Sequence, residues 1–177
     1  MTPTTRQPDT KTNFQPIVIE LIDAPSVELA LSRLAHLPGC LLLDSAMRVS
    51  HPKTQPLGRY SFLMADPFEM LVEPTDSKQV FTRLKKLLTK YPTETINNLP
   101  PMQGGVAGLF TYDLNRSIEK TQPARHDEFK IPAVAIGAFD VVVAWDHEND
   151  QTWIISQGFP ETEPDARTKH ALSLIHI

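Results

Sequence analysis

From Ile17 onward the apolar positions recur with two different periods, and the switching between them lays out the predicted elements. Ile17 to Ile22 is rich in β-branched residues and reads as an edge strand ending at Asp23. Val27, Ala30, Leu31, Leu34 and Leu37 then recur at helical spacing; Pro25 suits a first turn, and Pro38-Gly39 stops the helix. The run from Cys40 to Ser45 is short and apolar throughout, which predicts a central strand. Pro52 and Pro56 place a loop over Met47 to Leu57. Arg59 to Ala65 and Phe68 to Glu73 follow as strands hinged at Asp66-Pro67, with a hairpin as the expected arrangement.

The helical period returns at Val80, Phe81, Leu84, Leu87, Leu88 and Tyr91, one apolar stripe with a basic back, capped by Asp76 or Ser77 and covering a sheet. Pro92 to Pro101 has little periodicity and acts as a linker. In QGGVAGLFTYDLNRSIE (Gln103 to Glu119), Gly104, Gly105 and Gly108 allow a strand to bend or another backbone to come close, and Asp113 is placed to cap a short helix. Val134 to Trp145 and Gln151 to Gln157 flank the polar stretch His147 to Asp150 and read as a long antiparallel hairpin. Pro164 and Asp165 open a last helix. Helices punctuate the first half and strands dominate the second, so the class is α+β.

Composition narrows the partners. The 177 residues suffice for one domain and are 41% hydrophobic and 21% charged, with net charge −4. Lys and Arg are dispersed; the densest group, Arg83, Lys85, Lys86 and Lys90, is the solvated face of the second helix, so nucleic acid is not an expected partner. No window reaches the length of a membrane span, and the Thr- and Pro-rich residues 1–15 lack a signal-peptide core and read as a mobile tail. The lone Cys40, beside Gly39 and three leucines, reads as a small buried hydrophobe, consistent with a cytoplasmic protein.

Candidate chemistry is sparse. Asp146, Glu148 and Asp150 alternate as in a calcium loop, but Gln151 and Gln157 stand where the glycine and the bidentate glutamate are needed, so the stretch reads as a solvated turn. The six histidines are scattered, and none forms a zinc pair. Gly104-Gly105 lacks the lysine and hydroxyl residue that complete a phosphate loop. Cys40 sits in an apolar run that raises a thiol pKa, and Ser45 has no histidine beside it in sequence, although a distant one such as His51 stays open. Neither a catalytic group nor a metal site is assigned.

Four collinear blocks carry a resemblance: SRLAHLPGCLLLDSA (Ser32 to Ala46), GRYSFLMADP (Gly58 to Pro67), the glycine block, and IPAVAIGAFDVVVAWDHENDQTWIIS (Ile131 to Ser156). Together they resemble the N-terminal region of component I of aminodeoxychorismate synthase, within the chorismate-utilising enzymes that include anthranilate synthase component I. The resemblance implies antiparallel β-sheets stacked face to face with flanking helices, here incomplete. It implies a parent enzyme that aminates chorismate to 4-amino-4-deoxychorismate for p-aminobenzoate and folate synthesis, with ammonia from a glutamine amidotransferase subunit and Mg2+ held in a C-terminal region. Nothing in the 177 residues resembles that region. The chain therefore reads as a fragment inactive by itself, with residues 16–172 as the N-terminal-like region and 173–177 as a non-native tail similar to translated adapter sequence.

That N-terminal region holds a tryptophan pocket in the family. LLDS (Leu42 to Ser45) stands where the family has LLES or LLHS, which points to Ser45 as a ligand residue; Leu57, Gly58, Arg59 and Tyr60 match the second wall. The alternatives are that the Ser45 hydroxyl ties down the following loop and that Arg59 pairs with Asp44. Two other functions stay open: anthranilate synthase component I, and a stand-alone amino-acid-binding or subunit-docking module, which would cover the apolar face that a fragment should expose on Val134 to Trp145.

Overall fold

The computed structural model describes residues 14–45, 58–122 and 125–175. In chain order they form β1 (Ile17–Glu20), α1 (Val27–Leu34), β2 (Leu41–Leu43), β3 (Tyr60–Met64), β4 (Glu69–Glu73), α2 (Val80–Lys90), β5 (Gly105–Phe110), a 3₁₀ helix (Tyr112–Ser117), β6 (Val134–Phe139), β7 (Val141–Asp146), β8 (Gln151–Ser156) and α3 (Pro164–Ile175). The strands make two antiparallel sheets, one ordered β1-β8-β7-β3-β2 and the other β4-β6-β5. The architecture is α+β.

Alternation along each strand decides what the sheets bury. In the five-stranded sheet Leu63, Val143 and Trp145 face α1, where Val27 and Ala30 close the core and Leu31, Leu34 and Leu42 pack around it. The α1 helix starts at Val27 because Ser26 caps it, its hydroxyl accepting from the Leu29 N–H at 3.3 Å. It ends at Leu34 rather than Leu37, and a turn donating from Leu37 N to the Leu34 carbonyl carries the chain onward. The opposite parity, Met64, Val142, Ala144 and Ile155, is buried as well, and α3 lies against β1 and β8. Both tryptophans of the chain sit on the β7–β8 hairpin, Trp145 on one face and Trp153 on the other.

In the three-stranded sheet Leu71, Val134 and Ile136 meet Val80 and Leu84 of α2. That helix starts at Val80, later than Asp76 or Ser77; no side chain caps it directly, but the Ser77 hydroxyl accepts from the Gln79 N–H and donates to the buried Glu73, which also pairs with Arg83. The predicted stripe is half used: Phe81 and Leu88 stay exposed. Gly108 is needed where β5 crosses β6, because a Cβ there would stand 2.4 Å from the Ala135 carbonyl oxygen.

Four expectations are corrected. The 40–45 run is not central: β2 is a three-residue edge strand, with Leu41 and Leu42 only partly buried and Leu43 exposed. β3 and β4 form no hairpin, since the chain turns at Asp66 (φ 52°) into the other sheet. The Val134 to Trp145 segment is two strands, β6 and β7, in different sheets; only β7 and β8 form the hairpin. Asp140 marks the break, its buried carboxylate accepting from Ser156 Oγ at 2.6 Å and the Phe159 N–H at 2.7 Å. Asp113 caps nothing, because Thr111 precedes the 3₁₀ helix and supplies the carbonyl that Leu114 N–H reaches.

The seam between the sheets is aromatic. Phe68, Tyr91 and Phe159 meet with ring centroids 4.9 to 5.5 Å apart, and Arg167 stacks on Phe159 and Phe14. Burial lowers the Arg167 pKa, opposed by the nearby charges of Asp140 and Glu94.

Candidate functional site

Register brings the predicted ligand residues to one end of the five-stranded sheet. Leu43 pairs with Phe62, so one step further Asp44 stands opposite Ser61; Ser61 pairs in turn with Trp145, and His147, two residues on, shares its face. Ser61 is fully buried and its hydroxyl is the hub. It donates to Asp44 Oδ1 at 2.7 Å, accepts from the Ser45 N–H at 3.2 Å, and lies 2.7 Å from His147 Nε2. A serine hydroxyl has one proton and two acceptor sites. With the Ser61 hydroxyl proton directed at the Asp44 carboxylate, His147 must donate from Nε2, and Ser61 is saturated.

The Ser45 contact uses its backbone, which leaves its hydroxyl uncommitted by Ser61. Arg59 does not pair with Asp44. Its guanidinium forks onto Asp146, with Nε to Oδ1 at 3.0 Å and Nη2 to Oδ2 at 2.7 Å, and it also reaches Glu148 at 3.2 Å. The hydrogen bond to Asp146 raises the Arg59 pKa. Burial alone would raise Asp146, but the bonds from Arg59, the Glu148 N–H and Asn149 outweigh it and hold that carboxyl below its ordinary 3.8. The Arg59 charge also lies 4.8 Å above the Tyr60 ring. Gly58 has φ 97°, a left-handed conformation that suits glycine at the entry to β3. Leu57 and His51 lie outside the described residues.

The structure thus gathers Ser45, Gly58, Arg59 and Tyr60 near the ends of β2 and β3, and adds Ser61, Asp146 and His147, which the sequence reading left in a strand and a solvated turn. A single polar residue at an inward position of an otherwise apolar strand, YSFLM, was the available signal for Ser61. The turn is not merely solvated: Asp146 is buried and accepts from Arg59, Glu148 and Asn149.

Elsewhere, Cys40 is partly buried, with its thiol pKa raised by burial. Tyr112 is exposed. Among the described residues no group of three or more His, Cys, Asp or Glu is gathered so as to hold a metal, the magnesium implied by the resemblance included. No described helix is long and apolar enough to cross a membrane.

The apolar face expected on residues 134–145 is not there, since most of those side chains are buried. It lies on the neighbouring strands. Met70 and Val72 of β4 and Leu109 of β5, exposed by 50, 52 and 48%, flank Ala135 and Gly137 of β6 on the side of the three-stranded sheet away from α2. Gly39, Cys40 and Phe139 line the same groove.

No family model matches the chain. Among curated proteins it is similar to aminodeoxychorismate synthase component 1 of Escherichia coli (strain K12), 28% identical over 81% of this chain and 34% of that protein. It is likewise similar to aminodeoxychorismate synthase component 1 of Bacillus subtilis (strain 168), 30% identical over 73% of this chain and 27% of the relative. Anthranilate synthase component 1 of Acetivibrio thermocellus is 24% identical over 81% of this chain and 31% of its own length. The chain spans about a third of the length of the E. coli relative. Across most of its own length the chain is thus similar to component 1 of aminodeoxychorismate and anthranilate synthases.

Proposed function

We propose that the chain is part of an aminodeoxychorismate synthase component 1, a cytoplasmic enzyme that aminates chorismate to 4-amino-4-deoxychorismate. The observation that carries this reading is the similarity of about four fifths of the chain to a relative of that name. The partner is a glutamine amidotransferase subunit that supplies ammonia, consistent with the name component 1. The reaction centre belongs to the two thirds of the relatives' length that the chain does not span, so the chain alone does not turn over chorismate. Its uncovered sheet face is where such a complement packs, and exposed apolar patches of that kind mark missing partners.

Size-exclusion chromatography with a hydrophobic dye tests this. The expected result is dye binding or self-association. A cooperative monomer that ignores the dye overturns the reading and favours a stand-alone module. A chorismate and ammonia assay showing turnover by the purified chain overturns the claim of inactivity.

Within this part, the ends of β2 and β3 form an amino-acid pocket, with the Ser45 hydroxyl facing the ligand and Gly58, Arg59 and Tyr60 as the second wall. The hydrogen-bond hub at Ser61 supports this reading because it holds the Ser45 backbone at a fixed place. Calorimetric titration with tryptophan is the test; no heat with the unmutated protein removes the pocket.

A further inference from the structure

Ser61 and His147 belong to no assigned site, yet they tie the end of β2 to the end of β7. The Ser61 hydroxyl cannot reach a ligand, since its one proton goes to Asp44 and both acceptor positions are filled by Ser45 N–H and His147 Nε2. Full saturation in a buried place is what a fixed orienting group requires: partly satisfied polar networks wander or are penalised. His147 is in turn held by its own backbone, whose N–H donates to the Arg59 carbonyl at 2.8 Å, so the imidazole starts from a point locked to the second wall.

We propose that Ser61 and His147 are the positioning residues of the amino-acid pocket: His147 Nε2–H aims the Ser61 hydroxyl, and Ser61 fixes the Asp44 carboxylate and the Ser45 backbone N–H, and through that backbone the Ser45 hydroxyl that faces the ligand. The inference rests on the pocket reading above. It requires one tautomer, with the proton on Nε2, because Nε2 faces a hydroxyl whose proton is already placed. It also explains why a polar residue occupies an inward site of β3 beside Leu63 and Trp145, where an alanine would pack without needing partners.

The test combines ¹⁵N NMR of the imidazole with tryptophan titration of the purified protein. Unmutated protein is expected to show His147 protonated at Nε2; Ser61→Ala releases that preference. Ser61→Ala and His147→Ala weaken tryptophan about tenfold, the scale of one hydrogen bond to a charged group. His147→Gln, which keeps an N–H donor, restores binding. His147 is only partly buried, so its variants report even if Ser61→Ala folds poorly. Tryptophan binding unchanged in folded His147→Ala overturns the positioning role while the pocket stands. An Nδ1–H tautomer in the unmutated protein overturns the network. Absence of tryptophan binding to the unmutated protein removes the pocket and this inference together.

Discussion

The two sheets carry the same kind of strand and meet different fates. In the five-stranded sheet both parities of β3 and β7 are buried, Leu63 and Trp145 toward α1 and Met64, Val142 and Ala144 away from it. In the three-stranded sheet α2 covers Leu71 and Ile136, but Met70, Val72 and Leu109 on the reverse side remain half exposed. A strand meant for water on one side alternates apolar with polar; EMLVE and GVAGLF do not. Their composition specifies two covered faces where one is supplied, so the contrast separates a finished layer from one built to receive another.

The largest expected effect lies in the covered cores. Leu63→Ala and Ile136→Ala, one in each sheet and both fully buried, should each cost about 2–5 kcal/mol in urea unfolding. If Ile136→Ala costs under about 1 kcal/mol while Leu63→Ala behaves as expected, the three-stranded sheet is not packed as a core and the comparison breaks.

Gly158→Ala tests the lower end of the five-stranded sheet. Its φ is 74°, and a Cβ would sit 2.2 Å from the backbone carbonyl oxygen of Arg167, which cannot swing away as a side chain can. Thermal melts should show a loss of about 1–3 kcal/mol. An unchanged melt would mean that α3 is loosely docked.

Leu109→Lys sharpens the contrast directly. On an uncovered face it should change stability by less than about 0.5 kcal/mol while lowering dye binding. A large destabilisation would show that the face is already covered.

The smallest effects are in pH dependence, where the two ends of β7 oppose each other. Asp146 has a lowered pKa, so its contribution is complete above 3.8 and is lost as the pH falls through its folded value. Asp146→Asn should flatten the acid limb of a stability profile. Burial raises the Asp140 pKa despite its bonds from Ser156 and Phe159, so stability linked to it is present below 3.8 and falls as the pH rises through the raised value. Asp140→Asn should remove that fall. Two profiles of the same sign would contradict the assignment.

Much of this was legible where a local pattern decides the outcome. The period of Val27 to Leu34 yields α1, β1 is an edge as its β-branched run predicted, and Gln151 to Ser156 pairs in the hairpin. Pairing partners are set by distant residues, and there the reading failed. IPAVAIGAFDVVVAW has no break in apolar character except Asp140, and that one carboxylate is where the chain changes sheets. The site shows the same limit. Ser45 and Arg59 carried motif signals, whereas Ser61 and His147 are 86 positions apart and meet only through strand register.

One consequence follows from where the indoles lie. Trp145 and Trp153 occupy adjacent strands of the five-stranded sheet, the first donating its ring N–H to the Pro25 carbonyl at 3.1 Å, and the three-stranded sheet has none. Intrinsic emission is therefore a private reporter of one layer, while circular dichroism averages both. Recording the two signals on a single denaturation series reads out whether the layers melt together or in turn, without any label.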